Sequence, residues 1–167
     1  MSPVGDSPAD DSGGGEESHS ERINRELIEL LNELRVALPG VQVLFAFLLA
    51  VPFATGFKEI TGFQRDLFFA TLVCTAISSA LLIAPSAYHR MNFRARDKEQ
   101  MLLTSNKLAL SGLLFLALAI VGAIILIADV LYEPSVPIAG GILAAAMFAG
   151  LWFALPLLRR DPKQAPE

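Results

Sequence analysis

Four long apolar segments without any charged residue constrain this chain more than any other feature. They cover about residues 38–57, 67–87, 108–128 and 136–158, and none contains Asp, Glu, His, Lys or Arg. A helix of about 20 such residues is about 30 Å long, which matches the hydrocarbon thickness of a bilayer. The hydrophobic share of the chain, 53%, exceeds the roughly 45–50% of soluble domains. The sequence therefore predicts an all-α, integral membrane four-helix bundle.

The two ends of the chain are polar. Six of the 17 acidic residues lie in the first 21 positions, which contain no Lys or Arg and are otherwise rich in Gly, Ser and Pro. A segment with so few large apolar side chains buries too little surface to fold. We therefore predict a disordered acidic tail over residues 1–19, without the pattern of a secretory signal. Residues 159–167 form a second polar tail.

Residues 20–38 have the pattern of an amphipathic helix. A capping-box spacing, Ser18 to Glu21, precedes a run of apolar residues at intervals of four and three, namely Ile23, Leu27, Leu30, Leu34, Ala37 and Val41. Pro39-Gly40 predicts a break before the first span, so we expect a separate interfacial helix along the inner membrane surface. Its apolar face has three candidate contacts, which are the bilayer, a partner helix and the inner mouth of its own bundle. Four Glu against three Arg over residues 21–35 favour docking on protein, because lipid-bound helices are usually rich in Lys and Arg.

The distribution of positive charge predicts the orientation. With four spans, the amphipathic helix, the central segment 85–107 and the C-terminal tail share one side and hold 11 of the 13 Lys and Arg residues. Positive charge near spans is retained in the cytoplasm, so we expect an inner-membrane protein with both termini cytoplasmic. The central basic residues have two interpretations, as topology determinants, which we favour, or as contacts for anionic lipid or a partner; they are Arg90, Arg94, Arg96 and Lys98.

Small polar side chains follow one face of the second span. They recur at helical spacing, and with one residue of the first span the candidate set is Gln42, Thr71, Thr75, Ser78 and Ser79. Such a face lines a polar path for a solute or packs helix against helix, and packing is the commoner use. Proton- and cation-coupled transporters usually carry an ionisable group at depth, and these spans contain none. We therefore favour packing.

Two acidic residues, Asp66 and Asp129, lie at the boundary opposite the basic segment. Together they suit either a cation site or two solvated helix ends. Asp66 begins a helix, where negative charge is favourable, whereas Asp129 ends one, where it is not. The solvated interpretation is the commoner one, and Asp129 is the less expected of the two.

The sequence contains no motif of enzymatic chemistry. His19 and His89 are too far apart for a paired-His metal motif, the single cysteine, Cys74, excludes a cysteine cluster, and Gly-rich phosphate loops and nucleophile elbows are missing. We predict no catalytic residues, no cofactor, no metal and no enzymatic activity. Nucleic-acid binding is a poor fit, because the basic residues are few and close to the membrane.

Three segments carry a resemblance to a known family. They are Asn24–Leu49 around the Leu-Pro-Gly-Val-Gln sequence, Leu82–Arg90 around Ala-Pro-Ser-Ala-Tyr-His, and Trp152–Arg160. The chain resembles, over about residues 18–160, an uncharacterised family of small four-span bacterial membrane proteins common in actinobacteria. The resemblance implies a fold and a membrane location but no catalytic or binding residues. Some members carry a sodium:proton antiporter label.

Two functional hypotheses follow. The first is a non-enzymatic interaction or structural membrane protein, with the bilayer and either a second copy or another membrane protein as partners. Self-association would use the Leu-rich helix or the small residues of the fourth span, in the pairs Gly141/Ala145/Ala149 and Ala146/Gly150, since small residues at such spacing permit close helix crossings. The second is a small oligomeric transporter, antiporter or channel that uses the Thr/Ser face.

Overall fold

The computed structural model describes residues 19–91 and 98–154, and within them the chain forms four α-helices and no strand. They are α1 (His19–Ala50), α2 (Gly62–Met91), α3 (Lys98–Leu131) and α4 (Ser135–Phe148), which a π-helical segment, Ala149–Ala154, continues. Each is long and apolar enough to cross a membrane. The all-α, four-span prediction is therefore confirmed, and the chain has the structure of a multi-pass membrane protein. Of the acidic tail predicted over 1–19, His19 begins α1. Residues 1–18, the predicted tail over 159–167 and residues 155–158 of the fourth span lie outside the described residues.

The helices alternate in direction because short connections join them. One end of the bundle holds the start of α1, the end of α2 and the start of α3, and we call it the proximal end. The distal end holds the turn between α1 and α2 and the turn between α3 and α4. In the first of these turns Gly56 has a φ of 102°, a left-handed conformation that glycine adopts without steric cost. Phe57 then stacks edge-on against Phe68 of α2, with ring centroids 5.1 Å apart.

The predicted break at Pro39 is wrong, because α1 runs through this residue as one helix of 32 residues. Pro39 has no N–H to donate to the carbonyl of Arg35, which normally ends or kinks a helix. Pro39 is exposed, however, and the buried residues before and after it follow one spacing of seven, namely Leu27, Leu34, Val41 and Leu48. We call this row the α1 seam. A break at Pro39 would rotate its two halves out of register, so packing along the seam favours the continuous helix.

The first half of α1 also differs from the predicted interfacial helix. Ile23, Leu27 and Leu34 are only 7%, 2% and 3% exposed, because they pack into the bundle itself. Leu34 and Val41 belong to one core cluster with Leu82 of α2 and with α3. Of the three contacts considered for this face, the structure selects the protein's own bundle. At about 1.5 Å per residue α1 measures about 48 Å, which exceeds the hydrocarbon core by about 18 Å.

Two glycines of α3 set its close approach to α2. A Cβ atom built on Gly112 would lie 2.8 Å from Leu82 Cδ2, and one built on Gly122 would overlap Thr71 Oγ1 and lie 3.4 Å from Thr71 Cβ. Any larger residue would therefore force the helices apart or displace these side chains. Small residues at helix crossings in membranes permit this kind of van der Waals packing.

The fourth helix packs on one neighbour. Within the described residues α3 contacts the other three helices, whereas α4 contacts only α3. Pro137, Gly141 and Ala144 form its buried face, and a Cβ on Gly141 would lie 2.7 Å from Ile125 Cδ1. Among the described residues the opposite face of α4 has no protein neighbour and presents Ala139, Leu143 and Ala146, with Gly150 following in the π-helical segment.

Candidate functional site

The hydroxyl groups of the second span are occupied by hydrogen bonds to helix carbonyls. Thr71, Thr75 and Ser79 each donate to the carbonyl four residues earlier in α2, at 2.7, 2.8 and 3.0 Å. Ser78 donates instead across the interface, to the carbonyl of Gly112 in α3 at 2.8 Å. Thr71, Thr75 and Ser78 are 2% exposed or less. The structure thus places this face in the packed contact between α2 and α3.

Gln42 does not join these hydroxyl groups. It is exposed on α1 and lines a cavity at the proximal end, together with residues of α2 near Arg90. The five residues considered as one polar path are therefore divided between a packed interface and a surface cavity. Spacing along one helix predicts a shared face for the α2 set, whereas the position of α1 relative to this face depends on tertiary packing.

The distal acids are not arranged as a pair. Asp129 Oδ2 accepts a hydrogen bond of 2.9 Å from Gln64 Nε2, whereas Asp66 is exposed. Gln64 also closes a capping box at the start of α2, because its Oε1 accepts from the Thr61 N–H at 2.9 Å and its own N–H donates to Thr61 Oγ1 at 3.2 Å. The hydrogen bond from the neutral Gln64 amide thus links α3 to α2. It stabilises the Asp129 carboxylate at the end of a helix, where negative charge is otherwise unfavourable. In the parts of the chain that the structure describes, no three His, Cys, Asp or Glu side chains converge as metal ligands.

The strongest candidate for a binding site is a cavity of about 490 Å³ between α1 and α2 at the proximal end. We call it the proximal cavity. Its polar lining comes from both helices and comprises Asn32, Arg35, Gln42, Ser86, His89 and Arg90. Of the basic residues predicted to contact lipid or a partner, Arg90 belongs to this lining. Arg94 and Arg96 lie outside the described residues, as does the side chain of Lys98, whose backbone begins α3.

Arg35 was missed by sequence reasoning, although the sequence holds a signal for it. The arginines earlier in α1 have acidic partners one turn away, with Arg22 Nε 2.9 Å from Glu26 Oε1 and Arg25 Nε 3.9 Å from Glu29 Oε1. The residues three and four positions from Arg35 are Leu31, Asn32, Leu38 and Pro39. An arginine without a local acid, on a helix that otherwise pairs its charges, indicates that the charge serves another contact.

Two further cavities flank α1 on its α3 side. A proximal groove of about 340 Å³ combines Glu26, Glu29 and Glu33 with leucines and Asn106. Two of these carboxylates already pair with arginines of α1, which reduces the net charge of the groove. A groove of about 530 Å³ in the distal half is lined only by apolar residues, among them Phe47, Leu126 and Val130. An apolar groove at the depth of the spans is covered by lipid tails in a bilayer.

Comparison with known proteins finds one family. The sequence pattern of a family of unknown function, DUF6328, matches residues 16–156. No curated protein and no solved structure matches the chain at a significant level.

Proposed function

The chain belongs to DUF6328, a family of unknown function, and we propose that it is a non-enzymatic interaction protein of the inner membrane. It holds other molecules against the bundle and performs neither catalysis nor transport. Its partners are lipid and a second copy of the same chain, and nucleic acid is not among them. Both termini lie in the cytoplasm.

The observation that carries this proposal is the location of the hydroxyl groups and of the charged side chains in the bundle. The hydroxyl groups at membrane depth take part in helix packing, with Ser78 bonded to the Gly112 carbonyl. The two arginines that line the proximal cavity, Arg35 and Arg90, are at the proximal end, as are the three glutamates of the proximal groove. A protein with its interior used for packing and its charges at the membrane boundary suits binding at that boundary. A solute path would instead need polar groups exposed along the spans.

The orientation rests on charge. Eleven of the 13 Lys and Arg residues belong to the three segments that four spans put on one side, and the described parts of these segments are at the proximal end. Positive charge near spans is retained in the cytoplasm, which supports a cytoplasmic proximal end. Because α1 is about 18 Å longer than the hydrocarbon core, its proximal part then projects into the cytoplasm. There it displays the ion-paired face that includes Arg22 and Glu26.

Self-association is assigned to α4. The Leu-rich face of α1 is buried inside the bundle, so it is no longer available for a partner. The face opposite α3 carries Ala146 of α4 and, four residues later in the π-helical segment, Gly150, where a Cβ would meet nothing within 4 Å. Two copies of such a face can approach closely, because small residues four apart allow tight helix crossings in membranes.

A matched pair of substitutions tests this assignment. Ala146→Leu should weaken self-association at least about tenfold, since a bulky side chain at a close crossing separates the helices. Ala145→Leu, one residue away and also exposed, points about 100° around the helix and should leave association unchanged. Energy transfer between donor- and acceptor-labelled copies in liposomes, measured against the protein-to-lipid ratio, reports both.

Equal energy transfer in the two variants would contradict pairing through α4. A solute flux into liposomes that Thr75→Val with Ser78→Ala abolishes would contradict the proposed function as a whole. It would favour a transporter that uses the α2 face.

A further inference from the structure

The proximal cavity brings together two arginines that are far apart in sequence. Arg35 is in the middle of α1 and Arg90 is in the last turn of α2, and both line the same cavity of about 490 Å³. Cavities of roughly 300–1,000 Å³ are the usual size for small-molecule sites. The remaining polar lining, Asn32, Gln42 and Ser86, adds neutral hydrogen-bond donors around the two guanidinium groups.

Neither arginine forms an ion pair within residues 19–91 and 98–154, in contrast to Arg22 and Arg25 of the same bundle. His89 adds a third basic side chain to the lining. Two unneutralised positive charges that share one cavity repel each other. An anion between them would relieve this repulsion, and guanidinium groups bind phosphate through paired, charge-assisted hydrogen bonds.

Two simpler explanations cover only part of this arrangement. Positive-inside topology accounts for basic residues on this side of the membrane but not for their convergence on one cavity. The helix dipole favours a basic residue in the last turn of α2, where Arg90 lies. Arg35 is in the interior of α1, however, and the dipole of its helix offers it no comparable advantage.

The depth of the cavity points to the kind of anion. Its apolar lining includes Leu38 and Pro39, where the apolar half of α1 begins, and Ser86 is near the end of the apolar part of α2. The cavity therefore lies where hydrocarbon meets headgroups. One turn further into the membrane, Val43 follows Pro39 by four residues and Ile83 precedes Ser86 by three. Each is on the same face of its helix as the cavity residue, and they are 56% and 43% exposed.

We propose that the proximal cavity binds the phosphate of an anionic phospholipid. Arg35 and Arg90 hold the phosphate oxygens, the amides and the hydroxyl donate further hydrogen bonds, and the acyl chains extend along Val43 and Ile83. A zwitterionic lipid binds less well because its ammonium group meets the same two positive charges. This proposal rests on the proposed function and names the lipid that it binds, but it does not depend on pairing through α4.

Lipid titration of the full chain in mild detergent tests the site. Phosphatidylglycerol is added, and intact-mass spectrometry counts the bound lipid. Arg35→Gln with Arg90→Gln should weaken phosphatidylglycerol binding at least about tenfold, because both guanidinium contacts are lost. Both residues are exposed, so the double variant should elute and melt like the unmodified protein.

A charge-matched control separates a built site from general attraction. Arg22→Gln with Lys107→Gln removes the same two charges at the same end of the bundle, but neither residue lines the cavity. This variant should bind phosphatidylglycerol within about twofold of the unmodified chain. An equal loss in both double variants would overturn the site.

Two further ligands distinguish the source of the phosphate. Phosphatidylcholine should bind weakly to the unmodified chain, and equal binding of the two lipids would overturn the assignment to anionic lipid. Inorganic phosphate should displace phosphatidylglycerol only at high concentration, since it lacks acyl chains. If inorganic phosphate alone bound as tightly as the lipid, the ligand would be a soluble anion and the proposal would be wrong.

Discussion

Gly122→Ala should lower the free energy of unfolding by about 1–3 kcal/mol, the usual cost of adding a methyl group to a well-packed contact. Its new Cβ would overlap Thr71 Oγ1 and lie 3.4 Å from Thr71 Cβ, and Thr71 is only 2% exposed. The Thr71 hydroxyl is also held by its bond to the Leu67 carbonyl. Relieving this overlap would therefore break the hydrogen bond to the Leu67 carbonyl or separate α2 from α3. SDS titration in mixed micelles measures the loss, with the fluorescence of Trp152, the single tryptophan, as the signal.

A control and a rescue make this result specific. Gly40→Ala, in the interior of α1, adds the same methyl group where nothing lies within 4 Å, so it should be neutral or stabilising by up to about 1 kcal/mol, as helix propensity predicts. Thr71→Ala in the Gly122→Ala background removes the clashing oxygen and should restore about 1 kcal/mol, a coupling typical of residues in contact. If the two glycine variants were equally stable, α2 and α3 would not approach as closely as described.

The second large effect is expected from charging the α1 seam. Leu27→Asp with Leu34→Asp places two carboxylates at positions that are 2% and 3% exposed. Each substitution loses the burial of a leucine, about 1.5–3 kcal/mol, and leaves a buried charge without a partner, which costs about 3–5 kcal/mol. The proximal half of α1 should therefore leave the bundle. Trypsin would then cleave after Arg22, Arg25 or Arg35 at least about tenfold faster, because proteolysis follows the population of the open state.

The same helix supplies the control. Ile28→Asp with Val36→Asp adds the same two carboxylates at positions that are 59% and 81% exposed, where the bundle does not bury the charge. Cleavage of this variant should match that of the unmodified chain. Equal cleavage rates in the two double variants would show that the apolar stripe of α1 is not docked on its own bundle.

The features predicted correctly are those that local sequence determines. Four uncharged segments of membrane length specify four helices because every backbone group in lipid must be satisfied within its own segment. The apolar stripe from Ile23 to Val41 was also visible, since its spacing belongs to one helix. The spacing does not determine which surface the stripe contacts, because intervals of four and three suit a lipid surface, a partner and an internal neighbour equally well.

Pro39 shows how tertiary packing outweighs a local preference. A proline in a helix interior costs about 3 kcal/mol, and on that basis the sequence favours two helices. The cost is acceptable here because Pro39 is on the exposed face and the seam continues from Leu34 to Val41. The sequence predicts neither the π-helical continuation of α4 nor the packing of α4 on α3 alone. An apolar helix without a polar face carries no signal in its sequence for which face is buried.

The proximal cavity depends on a contact that no single-sequence pattern contains. Its closeness to a span makes Arg90 a candidate from the sequence, whereas Arg35, 55 positions before Arg90, contributes only to the charge of the amphipathic helix. Only the docking of α1 on α2 places them in one cavity. The missing acid one turn from Arg35 was the usable signal, and it identifies a charge without a local role.

The continuity of α1 is the central claim, because the seam, the projecting proximal half and the proximal cavity all depend on it. Spin labels on Asn24→Cys and Leu49→Cys, in a chain with Cys74→Ala, measure the distance across Pro39 by pulsed electron resonance. A continuous helix predicts about 37 Å, from 25 positions at about 1.5 Å each. A distance near 27 Å, as for two segments of about 22 and 15 Å at a right angle, would contradict the account and restore a separate helix on the membrane surface.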